Sequence, residues 1–108
     1  MSKERDKGKR GELEVVALAQ EHGFPEARRS GDAGQWDGDV DDVVEVVPDL
    51  RLSVKRQERL RLDAWSREVE ARASSEEMTA VAYRRSREPW RVSIPLGLFF
   101  DLLRGYYE

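Results

Sequence analysis

The side chains best suited to chemistry lie between Trp36 and Gln57. Asp37, Asp39 and Asp41 alternate ahead of an apolar run, and Lys55 stands near the end of a second alternating stretch, Leu50 to Gln57. Read as two strands joined by a turn, this places an acid beside a lysine. The pairing suits metal-dependent phosphodiester hydrolysis, because a carboxylate holds Mg²⁺ and an ammonium activates or steadies the attacking water. On one strand the three aspartates share a face, where their repulsion calls for a cation or open solvent. Sequence does not fix the hairpin register, so Asp37, Asp39 and Asp41 all stay open as the ligand.

Other elements must hold this hairpin in place. Gly11 to about His22 reads as a helix with Leu13, Val15, Val16, Leu18 and Ala19 as its apolar surface and Gly23 as its stop. Glu12 falls between Val15, Val16 and Ala19 at 100° per residue, which puts a carboxylate on the buried side. It also suits an exposed first turn, where an acid favours the positive helix end, and geometry leaves both readings open. Glu26 to Ser30 reads as a short strand and Gly31 to Gln35 as a loop. Val43 to Val47 continues the first strand of the hairpin, Pro48-Asp49 turns, and Leu50, Leu52 and Val54 return with Ser53 and Lys55 on the opposite face.

A second helix begins at Asp63 as N-cap and runs to about Ala73, with Leu62, Trp65, Val69 and Ala73 as its buried stripe. Met78 to Tyr83 and Trp90 to Ile94 are strands. Pro95 opens a last helix, about Leu96 to Tyr106, expected to cover the sheet. Its apolar residues exceed one face, which hints at a partner chain. This order predicts an α/β fold: a single domain over residues 1–108, with a central mixed sheet flanked by helices and residues 1–8 as a mobile basic arm.

The chain has 108 residues, enough for one core and too few for two. It has no cysteine and one histidine, His22, which excludes disulfides and thiolate sites and disfavours a histidine-rich zinc centre. Any metal is expected to be a hard, oxygen-bound ion. No apolar run approaches a membrane span and no signal core opens the chain, so a soluble, cytoplasmic protein with no membrane partner is expected. The net charge of −3 argues against a simple nucleic-acid coat. Its distribution matters more: basic residues gather at Lys3 to Arg10, Arg28-Arg29, Lys55 to Arg61 and Arg84 to Arg87, whereas acids dominate Asp32 to Asp49 and Glu68 to Glu77.

Several stretches in order resemble the archaeal-type Holliday-junction resolvases of the PD-(D/E)XK nuclease superfamily, including small phage and bacterial resolvases. Lys7-Gly8-Lys9-Arg10-Gly11-Glu12-Leu13-Glu14 with His22-Gly23-Phe24 resembles the family's opening Lys-Gly, helix acid and Gly-Phe. Arg28 or Arg29 with Ser30-Gly31 resembles its arginine and serine-glycine loop, Gly38-Asp39-Val40 its strand acid, and Ser53-Val54-Lys55 takes the place of its Glu-x-Lys. The resemblance spans roughly residues 7 to 94 and implies a restriction-endonuclease-like fold.

It further implies that Glu12 supports a metal, that Asp39 is its principal ligand, that the Val54 carbonyl faces the ion, and that Lys55 orients the water or stabilises the pentavalent phosphate. The implied cofactor is Mg²⁺ or Mn²⁺. The implied partner is branched DNA, a four-way junction, bound by a homodimer in a bacterial or phage-infected cell. Lys9, Arg10, Arg28, Arg29, Ser30, Arg56 and Arg59 are the expected DNA contacts, reading backbone and shape. The departure is Ser53, where the family carries an acid. A neutral hydroxyl weakens Mg²⁺ binding unless Asp41, Glu58 or Glu68 replaces the carboxylate. Two activities therefore compete: a junction endonuclease, and an impaired nuclease fold that binds branched DNA or a protein without cutting.

Overall fold

The computed structural model describes the backbone of residues 3–33 and 42–108, and the side chains of residues 8–31 and 42–108. Asp37, Asp39 and Asp41 lie outside the described residues. In chain order the elements are α1 (Lys3–Glu21), β1 (Arg28–Arg29), a single 3-10 turn (Ser30–Ala33), β2 (Val43–Val44), β3 (Leu50–Arg56), α2 (Leu62–Arg72), β4 (Met78–Arg84), β5 (Arg91–Ser93) and α3 (Leu96–Tyr107). The strands form one five-stranded sheet in the order β1-β2-β3-β4-β5. Every neighbouring pair is antiparallel except β3 and β4, which run parallel because α2 crosses between them. This is the expected α/β domain with a mixed sheet.

Strand alternation divides the core into two layers. On one face, Val15 and Val16 of α1 pack on Val43, Val54 and Ala82. On the other, Trp65 and Val69 of α2 pack on Val81. Ser53 is paired with Val81 and Lys55 with Tyr83, so the serine and the lysine share the α2 face. Gly11 is buried where α1 crosses β3: an added Cβ would stand 3.1 Å from Cβ of Arg56, so the glycine permits the close approach that brings Glu12 to the sheet edge.

Helix α1 begins at Lys3, ahead of the expected Gly11, and its end is chemically plain. Phe24 N–H donates to Ala19 O at 3.0 Å and Gly23 N–H to Gln20 O at 3.3 Å, a Schellman stop with Gly23 at φ 99°. Helix α2 starts at Leu62 with Arg61 as N-cap and no side-chain cap; Asp63 lies in its first turn, not at the expected cap position, and there favours the positive helix end. The last helix departs most from expectation. None of its residues is buried, so α3 does not cover the sheet. No helix among the described residues is long and apolar enough to cross a membrane.

At the start of the parallel pair, Arg51 Nε donates to Glu77 Oε1 at 3.1 Å, and the Ser74 N–H donates to the same oxygen at 2.9 Å. The Ser74 N–H, then Arg51, hold the Glu77 carboxyl below its ordinary value of 4.5. A depressed carboxyl contributes stability that is present above the ordinary value and lost as pH falls through the lower folded one. Glu77→Gln is therefore expected to lower the urea midpoint at neutral pH, with the difference closing in acid. An equal deficit at every pH would refute an electrostatic origin.

Candidate functional site

Asp42 occupies the edge where the described part of β2 ends and β3 continues. Its backbone is clamped on both sides: Ser30 N–H donates to Asp42 O at 3.0 Å, and Asp42 N–H donates to Leu52 O at 3.1 Å. Val43 pairs with Leu52, so the next residue out, Asp42, stands opposite Ser53. Its carboxylate then substitutes for a strand carbonyl, with Oδ2 accepting the Val54 N–H at 2.8 Å and lying 3.5 Å from the Ser53 hydroxyl. Ser53 is only 4% exposed. The position where the motif resemblance expects an acid is thus a buried hydroxyl leaning on an acid from the neighbouring strand.

Glu12 reaches the same edge from α1. Because the helix starts at Lys3, Glu12 lies well inside it and not in its first turn. Arg29 Nε donates to Glu12 Oε1 at 2.8 Å, and both side chains are about four-fifths covered. Burial pushes the Glu12 carboxyl above its ordinary value of 4.5; the Arg29 hydrogen bond opposes this, and the negative charge of Asp42 adds to it. Two carboxylates therefore stand close together at this edge, with one guanidinium beside them. A further positive charge at this edge is electrostatically favoured.

Lys55 lies on the α2 face of β3, two residues beyond Ser53. Its Nζ lies 3.9 Å from Glu68 Oε2 and 5.9 Å from the centroid of the Trp65 ring. Of the acids considered as replacements at Ser53, Glu68 is thus brought to Lys55. Glu58 is held elsewhere, accepting from Ser86 N–H and Oγ at 2.9 Å. Asp41 and Asp39 fall outside the described residues, and among the described residues no three His, Cys, Asp or Glu side chains group as ligands for a metal.

The expected DNA contacts divide by position. Lys9, Arg10 and Arg59 are exposed, and Arg28 lies 3.8 Å from Glu45. Arg29 is engaged with Glu12, and Ser30 offers its N–H to Asp42. Arg56 is largely covered, its Nε 3.8 Å from Glu14, while Arg84, its register partner on β4, lies 3.3 Å from the same carboxylate and over the Trp90 ring. Trp90 Nε1 also donates to Glu14 at 3.0 Å. Two guanidiniums sharing one carboxylate leave net positive charge at the carboxyl ends of β3 and β4.

Asp42 was not singled out by sequence, and Arg84 entered only as the first residue of a basic cluster. The usable signal for Asp42 was its place directly before the Val43-Val44 pair. For Arg84 the basic cluster was the signal, but its pairing with Arg56 was not legible, because parallel register is not written locally.

No family model matches the chain, and comparison with curated proteins finds no match. Among solved structures, Archaeoglobus fulgidus Hjc, a Holliday junction resolvase from an archaeal hyperthermophile, is similar: 19% identity over 82% of this chain and 76% of that one, with a TM-score of 0.49.

Proposed function

We propose that the chain is a divalent-metal-dependent, structure-specific endonuclease that hydrolyses phosphodiesters in branched DNA, acting as a homodimer on four-way junctions. The observation that supports it is the meeting of Glu12 and Asp42 at one sheet edge, where burial, with the Asp42 charge adding to it, raises the Glu12 carboxyl. The substrate class rests on the motif resemblance. The donor chemistry fits Mg²⁺ or Mn²⁺, since Glu12 and Asp42 offer carboxylate oxygens and Mg²⁺ needs one or two carboxylates while keeping several waters. Glu12 and Asp42 would hold the ion, joined by Asp39 or Asp41. When bound, it offsets charge on the scissile phosphate and lowers the pKa of a coordinated water.

The remaining roles belong to the chain itself. Arg29 fixes the Glu12 rotamer through its 2.8 Å hydrogen bond, and the Val54 N–H fixes that of Asp42. Lys55, released from Glu68 by an incoming phosphate, orients the water or stabilises the developing negative charge. The exposed Lys9, Arg10 and Arg59 contact the DNA backbone, which positions the branch without reading its sequence.

A second reading, binding without cleavage, is favoured by one feature: Ser53 is buried against Asp42 and Lys55 is paired with Glu68, so the expected second-strand acid is missing where the lysine would use it. The two are separated with a labelled four-way junction in Mg²⁺ or Mn²⁺. Cleavage is expected, and Glu12→Ala and Lys55→Ala should each reduce it by about 100-fold or more while sparing junction binding at low salt. Binding without any cutting at high protein concentration would select the second reading.

A further inference from the structure

The α1 face of the sheet is only half covered. Between α1 and β5 runs a groove of about 340 Å³, lined by Val15, Leu18, Phe24, Leu52, Trp90 and Val92. Val92 is 55% exposed on its rim, and Leu18 and Phe24 are also exposed. That volume is at the small end for a ligand pocket, and its walls offer few polar groups to orient a small molecule. The same chain carries a second unsatisfied surface. Leu96, Phe99, Phe100, Leu103 and Tyr106 are exposed along α3, the last of them at 80%. At 100° per residue these five form one apolar stripe.

We infer that α3 of one copy docks in the α1–β5 groove of a second copy, and reciprocally, to build a two-fold dimer by helix exchange. Both halves of the interface are on one chain, as an isologous contact requires. The groove borders β5, the strand from which α3 emerges two residues later, so a two-fold axis beside this edge brings each helix to the other's groove.

The polar side of α3, with Asp101 and the Arg104–Glu108 ion pair, lies opposite the apolar stripe and stays in solvent when the stripe docks, so the contact is carried by apolar area. Half-exposed aromatic and aliphatic side chains offer on the order of 600 Å² per helix, and two helices in two grooves exceed the roughly 1,000 Å² that a specific interface needs. This deepens the dimer of the proposed function, but assembly is measured without DNA, so a failure of cleavage and a failure of assembly are distinguishable.

The test is the mass of the full chain by light scattering and sedimentation. The wild-type protein should be a dimer. Phe100→Asp on the helix and Val92→Glu on the groove rim should each weaken dimerisation at least about 30-fold. Both residues are exposed, so circular dichroism should match the wild type; Leu103→Arg and Leu18→Glu serve as a second pair if either variant misfolds. Mixing the helix variant with the groove variant should restore a heterodimer, because one intact helix then meets one intact groove. A monomeric wild type would overturn the inference. So would a dimer that is lost in Phe100→Asp but survives Val92→Glu, or failure of the mixture to restore mass, since either outcome means that α3 pairs with something other than the groove.

Discussion

Asp42→Ala is expected to lower junction cleavage by about 100-fold or more and to destabilise the fold by about 1–3 kcal/mol. The two effects have separate causes. Val54 is a buried strand residue whose N–H ends on Asp42 Oδ2 at 2.8 Å, so truncation orphans a buried donor. Asp42→Asn tells them apart: its amide oxygen still accepts the Val54 N–H, which preserves much of the stability, whereas the lost charge removes the anionic ligand. The neutral side chain should also let the Glu12 carboxyl titrate at lower pH, because the Asp42 charge is one of the causes holding it up. Carboxyl chemical shifts of Glu12 followed against pH measure this directly. If Asp42→Asn cuts at the wild-type rate, the strand ligand is one of Asp37, Asp39 and Asp41, and the same substitution at each of them identifies it.

The hairpin register that sets Asp42 opposite Ser53 was left open by the sequence for a definable reason. A simple hairpin turning at Pro48-Asp49 sets Val47 opposite Leu50, and counting outward from there places Val44 opposite Ser53. In the structure Glu45 and Asp49 both adopt positive φ, 66° and 64°, and the wider connection moves the pairing so that Val43 meets Leu52. That shift is two residues, so it preserves which face each side chain occupies while changing its partner. Alternation of apolar residues fixes faces but not partners. The faces of Ser53 and Lys55, and the burial of Trp65 and Val69, were accordingly legible.

The contact between Glu12 and Arg29 depends on how α1 crosses the sheet, a tertiary matter that Gly11 permits without announcing. Helix α3 was misplaced for the opposite reason. Its apolar residues signalled a face packed on the sheet, but none of them is buried in the chain, and a helix that packs inside its own domain carries the same apolar pattern as one whose apolar face stays exposed.

Trp65→Ala is expected to cost about 3–5 kcal/mol, a large share of the roughly 5–15 kcal/mol that holds a domain of this kind together. Trp65 is 5% exposed and packs with Val69 and Val81, each 1% exposed, in the layer between α2 and the sheet. Trp90→Ala is the instructive contrast. That indole is only partly buried and bonds Glu14, so its loss should cost less in stability and fall on the α1 face.

Trp65 also bears on the role proposed for Lys55, whose ammonium lies over its ring, a contact of about 0.5–1 kcal/mol at an accessible site. Trp65→Leu retains apolar volume but removes the ring, so it should fold, with a higher urea midpoint than Trp65→Ala, while Lys55 loses one of the two partners that set its position. If Lys55 acts on the phosphate, cleavage by folded Trp65→Leu falls and a Lys55→Ala change on top of it adds nothing near its separate effect. Fully additive losses would mean that Trp65 supports the fold alone and leaves Lys55 to be positioned by Glu68.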